Sequence, residues 1–548
     1  MKTIKRLIAS ICACAFLLTG TISTLTVSAT SSDIEPVYVA NDAIWQSAAE
    51  SDAELINAPM TRSEFPASVD NSATEYFPTI GNQGAMGSCA GWATTYYQYT
   101  YEVNKYKNIS TNVDNVYSPS WTYNYINGGA NRGTYLNDAY NVLTNQGAMK
   151  LCDYSYSTSP DTYSYSWSTN VQKMTDALKY RVNRYYINCS SSYDLYNAKY
   201  NLSNGKVGVI WTDAYGWTME ETNTGEKIIV RGSSGGGGHF MAVVGYDDTI
   251  TTTFNGVTMT GAFKLANSWG TNWLDGNNGY IWVAYDALNS SSIYGESWQS
   301  NLSSTRQQIF GYNNEMNFVN IEHYNTYYVG KVTYISNDPW HNNIFGDIST
   351  TASTRKFKPS TGSGSTSNLQ NPEYRVIVFD YFNNPNLNVA NYINSSFTTK
   401  MTNYTTNTTY RVYFTLMDDL GKTILPNDTI AGSYTNGEYS RTFNLNLAKG
   451  KIASYTSGNV TSADVSLLSS YLLGERTLSS LQGYLADMND DGNVDAFDLV
   501  LMRSAATNST LNEDIMSAYI PELGTTIEEF ILNKYGVEVL EQAESLLE

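Results

Sequence analysis

The amino-acid sequence predicts a multidomain protein whose parts belong to different structural classes. Helical and strand patterns are mixed over residues 65–310, alternating β-branched and aromatic runs fill residues 311–448, and a loop–helix repeat occupies residues 449–510. A chain of 548 residues is also longer than one hydrophobic core can organise. We therefore expect a mixed domain, a β-sandwich-like all-β region in two sheets, and a small α-helical module of paired calcium-loop and helix repeats.

The composition indicates an acidic protein with few charged side chains. The net charge is −19 and the sequence pI is about 4.6, which argues against nucleic acid as a partner. Charged residues make up only 15% of the chain, whereas tyrosine occurs 45 times. This balance is more typical of a secreted, β-rich protein than of a cytosolic enzyme.

The N-terminus has the pattern of a signal peptide over residues 1–29. Basic residues at positions 2, 5 and 6 precede an apolar run over 7–18, and small residues at 27–29 form a cleavage site. We expect secretion to the extracellular space and no membrane span, because no other stretch is long and apolar enough. Residues 30–64 are acidic and are either a short pro-segment or a linker.

The segment from Gln83 to Trp92 contains the candidate nucleophile, Cys89. Cys89 opens a predicted helix, where the macrodipole and free N–H groups favour a thiolate over a thiol. The amide of Gln83 lies six positions earlier, across a glycine-containing turn. It can donate a hydrogen bond to an oxyanion formed at the sulfur.

A base and an orienting group are predicted far along the chain. His239 follows a run of glycines and begins an apolar segment that reads as a buried strand. Asn267 ends another short apolar strand and is followed by Ser268 and Trp269. A Cys/His pair needs a third group that holds the imidazole in one tautomer, and an amide oxygen can do this.

The motifs Q-x-x-x-G-S-C, G-H-x-x-x-V-x-G-Y and N-S-W-G, in this order, resemble those of the papain-like (C1) cysteine peptidases over residues 65 to 290. The resemblance implies an α+β papain-like domain, here 65–310, that hydrolyses protein or peptide substrates without a cofactor. It implies Cys89 as nucleophile, His239 as base and Asn267 as orienting residue. Gln83 and the Cys89 backbone N–H would form the oxyanion hole.

Two positions depart from the family pattern. Met86 stands where the family usually has a cysteine, so the usual disulfide cannot form, and Ala90 stands in place of a tryptophan. Papain-like domains can also persist as binding scaffolds, so a catalytically silent scaffold that binds peptides is an alternative function. Cys152 and Cys189 could pair or remain free thiols.

The β-rich region over residues 311–448 carries no chemical motif. Its aromatic residues, such as Trp340, could bind sugar or protein, which leaves an adhesion or carbohydrate-binding protein as a second alternative. A structural spacer is the simpler interpretation of the same region.

Residues 487–498 have the spacing of a calcium loop, with oxygen-bearing side chains at positions 1, 3, 5 and 12 and glycine at position 6. The predicted role of the ion is structural. Side-chain oxygens would come from four residues and a backbone carbonyl from a fifth: Asp487, Asn489, Asp491 and Asp498, with Asn493 as the carbonyl.

Residues 457–464 repeat the sequence pattern of residues 491–498. Two such loop–helix units resemble a type I dockerin. The resemblance implies a dockerin over 449–510 that binds a cohesin of a cellulosome scaffold. The first loop has Ala453 and Tyr455 at ligand positions, so it should bind calcium weakly or not at all. Phe497 is expected to dominate the cohesin contact. Residues 511–548 form an acidic, helical extension that packs on this module or binds a partner.

Overall fold

The computed structural model describes most of the chain between residues 65 and 507. The described residues are 54–55, 65–127, 131–160, 168–188, 192–214, 217–231, 237–274, 276–287, 315–336, 346–349, 354–357, 373–382, 384–402, 408–434, 438–455 and 458–507. The predicted signal peptide, Trp340 and the C-terminal extension lie outside them.

The N-terminal part places a helical layer beside a large sheet. Its helices are α1 (Cys89–Gly91), which continues as a π-helical stretch (Trp92–Tyr99) into α2 (Thr100–Lys107), then α3 (Pro119–Ile126), α4 (Leu136–Gln146), α5 (Val171–Ala177) and α6 (Ser192–Ser203). Every residue from Met86 to Asn104 is buried, because the sheet and the other helices cover the first helix on all sides.

Ten strands form the sheet of this part. They are β1 (Glu54–Leu55), β2 (Ser68–Asp70), β3 (Tyr180–Asn188), β4 (Gly208–Asp213), β5 (Thr218–Glu221), β6 (Lys227–Arg231), β7 (Gly238–Phe254), β8 (Val257–Ala266), β9 (Tyr280–Ala284) and β10 (Glu315–His323). The order is β1-β3-β10-β4-β7-β8-β9-β6-β5, and β2 pairs with β7. Long antiparallel β7 and β8 form its centre.

Strand β10 is the main difference from the predicted organisation. The sequence analysis placed residues 315–323 in the β-rich region, but they pair antiparallel with β3 along their whole length and also contact β4. The sheet of the N-terminal domain therefore extends beyond the predicted boundary at residue 310. Alternating apolar and polar residues suit either sheet, so local pattern could not decide between them.

The following region contains two four-stranded antiparallel sheets. One has the order β14-β11-β16-β17, and the other has the order β13-β12-β15-β18. The first contains β11 (Val329–Ser336), β14 (Glu373–Asp380), β16 (Thr408–Met417) and β17 (Thr423–Tyr434). The second contains β12 (Gly346–Ser349), β13 (Thr354–Phe357), β15 (Ser396–Thr402) and β18 (Glu438–Asn444). Their packing into a sandwich stays a prediction.

Within its described residues, the C-terminal module has three helices, α7 (Ser462–Leu472), α8 (Ser480–Ala486) and α9 (Ala496–Thr507). Helices α7 and α8 both begin with a capping box, which satisfies N–H groups at the helix start. α7 packs on α9.

Two hydrophobic cores join these parts. In one, Val376, Val378 and Met417 of the β-rich region pack with residues of the N-terminal helices such as Trp121 and Met174. A buried ion pair lies between the same two parts: Arg181 of β3 with Asp380 of β14, the Arg181 guanidinium stacking 3.3 Å from the Tyr324 ring centroid.

The second core joins the β-rich region to the helical module. Phe414 and Leu416 of β16 share it with Leu468, Leu481 and other helix residues. The β-rich region is thus packed against both of its neighbours in the chain.

Candidate active site and calcium loops

Cys89 is the first residue of α1, and small residues around it let other chain segments approach. A Cβ atom on Gly87 would lie 2.6 Å from the Arg132 carbonyl oxygen, and one on Gly91 would lie 2.6 Å from that of Pro119. Both distances are shorter than real contacts, so only glycine fits there. The glycines therefore hold the start of this helix against the segments that surround it.

The Cys89 thiol is buried next to the beginning of β7. Burial raises its pKa to about 11, although the backbone N–H groups of Phe240, Ala90 and Cys89 act in the opposite direction. The sequence predicted the stabilising influence of the helix start, but burial outweighs it. Contact with the Phe240 N–H places the sulfur beside the residue that follows His239.

His239 and Asn267 meet because β7 and β8 are antiparallel neighbours. Ala242 of β7 lies opposite Ala266 of β8, so His239 and Asn267, which lie just beyond this pair on the two strands, come close together. The His239 Nε2 atom lies 2.8 Å from Asn267 Oδ1, which also accepts the Ser268 N–H at 2.7 Å. An amide oxygen only accepts hydrogen bonds, so Nε2 carries the proton and Nδ1 is left as the basic nitrogen.

The His239 ring is almost completely enclosed. Trp269 stacks on it with ring centroids 4.5 Å apart and an angle of 26° between the planes, and Trp273 meets Trp269 edge to face. Burial lowers the pKa of His239 to about 4, although the bond to Asn267 raises it. At neutral pH, burial therefore favours an uncharged thiol at Cys89 and an uncharged imidazole at His239.

Gln83 is held beside this group by the segment that follows Asn267. Its backbone N–H donates to the Ser268 carbonyl at 2.7 Å, and its Oε1 accepts the Ser268 hydroxyl at 2.7 Å. Its Nε2 donates to the Met86 carbonyl at 2.8 Å. An amide nitrogen has two donors, so this nitrogen keeps a second N–H for another acceptor.

Asn267 is fixed through its backbone as well. Its carbonyl accepts the Tyr97 hydroxyl at 2.7 Å, and its N–H donates to Gly279 at 3.0 Å. Tyr97 comes from the π-helical stretch that follows Cys89, so the nucleophile and the orienting residue are tied to the same helix. The spacing of sequence motifs carries no signal for this contact.

One contact near Gln83 was also missed by sequence reasoning. The Tyr156 hydroxyl donates to the Gln83 carbonyl at 2.8 Å and is hydrogen-bonded to Ser88. Tyr156 lies in a Ser/Tyr-rich loop that shows no periodic pattern. Cys152, at the start of this loop, is a free, exposed thiol, and Cys189 lies outside the described residues.

In the second calcium loop, side chains of predicted ligand residues accept hydrogen bonds from backbone N–H groups of the same loop. Asp487 accepts the N–H groups of Asp491 and Gly492, at 3.2 and 3.0 Å, and Asp498 accepts that of Met488 at 2.7 Å. Burial raises the pKa of Asp498 to about 6, and the carboxylates of Asp495 and Asp487 raise it further. Acidic side chains that repel each other in a buried place favour a cation there.

Across the described ranges, no three His, Cys, Asp or Glu side chains converge as a metal centre. The loop nevertheless fits a hard cation by its donor chemistry, since its side chains offer only oxygen ligands at the predicted positions. Asn489 Oδ1 accepts the Asp491 N–H at 3.3 Å, whereas Asn493 is exposed. Gly492 has φ of +85°, the left-handed conformation that the predicted sharp turn requires.

The first loop does not fit a calcium ion. Lys451 places its ammonium 3.1 Å from Asp464, the acid that would close the metal shell, and both residues are buried. Asp464 also accepts the N–H groups of Ala453 and Thr461, at 2.7 and 2.9 Å. The weak calcium binding predicted for this loop therefore has a further physical reason besides the missing ligands.

Phe497 cannot dominate a contact with a partner in this conformation, because it is only 5% exposed. That prediction is wrong for this conformation: the large apolar side chain is withdrawn from water. Ser462 and Ala463 on α7, and Ala496 on α9, are exposed. The start of α7 is therefore the more open of the two helix starts.

Two protein-family models match separate parts of the chain. A papain family cysteine protease model matches residues 65–299, and a dockerin type I domain model matches residues 456–505. No curated protein is similar enough to match the chain. None of the described helices has the length and apolar character needed to cross a membrane.

Solved cysteine proteases are similar to the chain at low identity. Xylellain from Xylella fastidiosa is 17% identical, with 49% of this chain and 96% of that chain covered and a TM-score of 0.32. The bromelain protease from Ananas comosus, solved with the E64 inhibitor, is 18% identical, with 46% and 99% covered and a TM-score of 0.30. The family-model matches give a papain family cysteine protease region at residues 65–299 and a dockerin type I region at residues 456–505.

Proposed function

We propose that the protein is a secreted cysteine endopeptidase that hydrolyses peptide bonds through Cys89, His239 and Asn267. The observation that carries the proposal is the His239–Asn267 hydrogen bond of 2.8 Å, next to a thiol packed against the residue after His239. This bond leaves Nδ1 of His239 unprotonated and basic. A thiol nucleophile and a neutral base beside it are the two groups that acyl transfer to sulfur needs.

In the first step, His239 Nδ1 takes the Cys89 proton while the sulfur attacks the carbonyl carbon of the peptide bond. The carbonyl π electrons move to its oxygen, which accepts hydrogen bonds from Gln83 Nε2 and the Cys89 backbone N–H. When the tetrahedral intermediate collapses, the C–N bond breaks. His239 returns its proton to the leaving amine, and the acyl group remains on sulfur as a thioester.

In the second step, water replaces the amine. His239 takes a proton from the water, whose oxygen attacks the thioester carbonyl, and the C–S bond then breaks. The proton goes back to Cys89 and the carboxylic acid leaves. Burial opposes single charges at both residues, so thiolate and imidazolium form together, and Trp269 excludes water from the His239–Asn267 bond.

We further propose that the dockerin attaches this peptidase to a cohesin of an extracellular cellulosome scaffold or a cell surface. Asp487, Asn489, Asp491 and Asp498 would hold a calcium ion with side-chain oxygens, and Asn493 with its carbonyl. When bound, calcium supplies the positive charge that these neighbouring carboxylates lack. Secretion through residues 1–29, and the role of residues 30–64 as pro-segment or linker, belong to the same proposal.

The decisive experiment is covalent labelling with an epoxide inhibitor of cysteine peptidases, followed by mass spectrometry of the Cys89 peptide. The chain contains its own control thiol, because Cys152 is free and exposed whereas Cys89 is buried. We expect labelling of Cys89, loss of labelling in His239→Ala, and little reaction at Cys152.

Hydrolysis of a general protein substrate separates the alternatives. Cys89→Ala should abolish it and leave the fold and cohesin binding intact. Equal labelling of both thiols, together with no hydrolysis by the wild-type chain, would favour a catalytically silent peptide-binding scaffold.

A further inference from the structure

One tyrosine hydroxyl forms hydrogen bonds at both ends of the loop over residues 83–88, which positions the predicted oxyanion donors. Tyr156 donates to the Gln83 carbonyl at 2.8 Å, and its oxygen is within hydrogen-bond distance of the Ser88 hydroxyl. A phenol has one proton. Because Tyr156 gives its proton to Gln83, the Ser88 hydroxyl must donate to Tyr156. The result is a directed chain from Ser88 through Tyr156 to Gln83.

The two ends of this loop position the two predicted hydrogen-bond donors to the oxyanion. Gln83 provides the side-chain donor, and Ser88 immediately precedes Cys89, which provides the backbone donor. Met86, between them, cannot form a disulfide, so no covalent bond closes the loop. The distance between the two donors depends on contacts that fix residues 83 and 88 relative to each other.

The Tyr156 ring is itself held in place. It packs edge to face on Trp92 with ring centroids 5.0 Å apart. Two residues further on, the Thr158 carbonyl accepts the Ala85 N–H at 2.8 Å. Gly84 has φ of +59°, and a Cβ there would lie 2.2 Å from the same carbonyl oxygen. The loop around Tyr156 is thus packed directly on residues 83–88.

We propose that Tyr156 is a positioning residue of the oxyanion site, an inference that rests on the proposed peptidase function. Its hydroxyl keeps Gln83 and the start of α1 at a fixed separation, so that both donors reach one oxygen atom. Its hydroxyl contacts Gln83 and Ser88 and its ring contacts Trp92. Its loss should therefore affect the stabilisation of the tetrahedral intermediate and leave the nucleophile intact.

The test is Tyr156→Phe in the full chain, which removes one oxygen atom and keeps the ring on Trp92. We expect kcat to fall about tenfold with KM unchanged, less than the loss of a whole donor. Alkylation of Cys89 by iodoacetamide should keep its wild-type rate, because this displacement forms no oxyanion. Ser88→Ala should not add to the effect, because both changes interrupt the same chain.

Tyr154→Phe is the matched control. Its hydroxyl accepts a hydrogen bond from Asn124 at 2.8 Å in α3, away from the oxyanion loop, so kcat should stay near the wild-type value. Wild-type kcat in Tyr156→Phe, or equal losses in both variants, would overturn the role of Tyr156. A wild-type chain without any turnover would instead refute the peptidase function and this role with it.

A separate observation concerns the first dockerin loop. The Lys451–Asp464 pair is buried at the position of the closing metal ligand, and Lys422 donates to the Ile452 and Ala453 carbonyls at 2.7 and 2.6 Å. The Tyr455 hydroxyl, at another ligand position, donates to Asp418 at 2.6 Å. Carboxylate and carbonyl oxygens that a calcium loop directs to a metal are here bonded to lysine ammonium groups.

The geometry points to Lys451 as an internal cation that replaces calcium in this loop. A single lysine charge balances the single carboxylate of Asp464, and the hydrogen bonds of that carboxylate to Ala453 and Thr461 close the loop without a metal. Helix α7 should then stay folded when calcium is removed, whereas the second loop should open.

Hydrogen exchange of the full chain in excess chelator tests this. Amides of α7 should remain protected in the wild type. They should also remain protected in the control variant Arg476→Met, which changes an exposed basic residue. In Lys451→Met, their protection should fall at least about tenfold. Calcium titration of the wild-type chain, which needs no substitution, should give one ion. Two bound ions, unprotected α7 amides in the wild type, or unchanged protection in Lys451→Met would overturn the inference.

Discussion

The buried pair between Arg181 and Asp380 allows a quantitative test of how the β-rich region supports the peptidase domain. The perturbation is Asp380→Asn, which keeps the size of the side chain and removes its charge. Arg181 is fully buried and Asp380 is 3% exposed, so the variant leaves a guanidinium without its counter-ion in the interior. Removing one partner of such a pair costs about 3–5 kcal/mol of unfolding free energy.

Part of the environment of Arg181 survives the change. Its guanidinium still stacks on Tyr324, and a desolvated contact of this kind contributes about 2 kcal/mol. We therefore expect the lower end of the range, about 3 kcal/mol. The partly exposed pair of Lys179 and Asp176, with nitrogen and oxygen 3.0 Å apart, is the matched control. Asp176→Asn should cost less than about 1 kcal/mol, because solvent screens that pair.

Urea unfolding followed by tryptophan fluorescence measures both effects, in a Cys89→Ala background that prevents self-cleavage. The midpoint should fall in Asp380→Asn with an unchanged denaturant dependence. Arg181→Met combined with Asp380→Leu should recover most of the loss, because it removes both buried charges. A loss in Asp380→Asn no larger than in Asp176→Asn would refute the buried interface between the two parts.

Three further predictions concern the candidate sites. In His239→Ala, the rate of Cys89 alkylation should be low at pH 7 and should rise toward alkaline pH. The reason is that burial raises the pKa of the thiol to about 11 and no imidazole accepts its proton. A wild-type pH profile of the alkylation rate would contradict this. Gln83→Ala should lower kcat about ten- to a thousandfold with little change in KM, and steady-state kinetics that show only a KM effect would make Gln83 a substrate-binding residue. Calorimetric titration should give one calcium ion per chain and none in Asp487→Ala, and cohesin binding that survives a chelator unchanged would exclude calcium-dependent docking.

The candidate catalytic residues could be predicted from the sequence because each lies in a short local motif. A nucleophile at a helix start, a base at the mouth of a strand and an amide before a tryptophan each need specific residue types at fixed spacing. The same holds for the second calcium loop, whose ligands lie within twelve consecutive positions. The antiparallel register of β7 and β8 then explains why His239 and Asn267 meet.

The sequence by itself determined which residues could act, and the tertiary structure decided what surrounds them. Burial sets the directions of the pKa shifts of Cys89 and His239, and it withdraws Phe497 from a partner. The contacts of Tyr156 and Lys451 likewise have no local signature. The physical reason is that electrostatic environment and exposure depend on neighbours that are distant along the chain, which a local pattern of residue types does not contain.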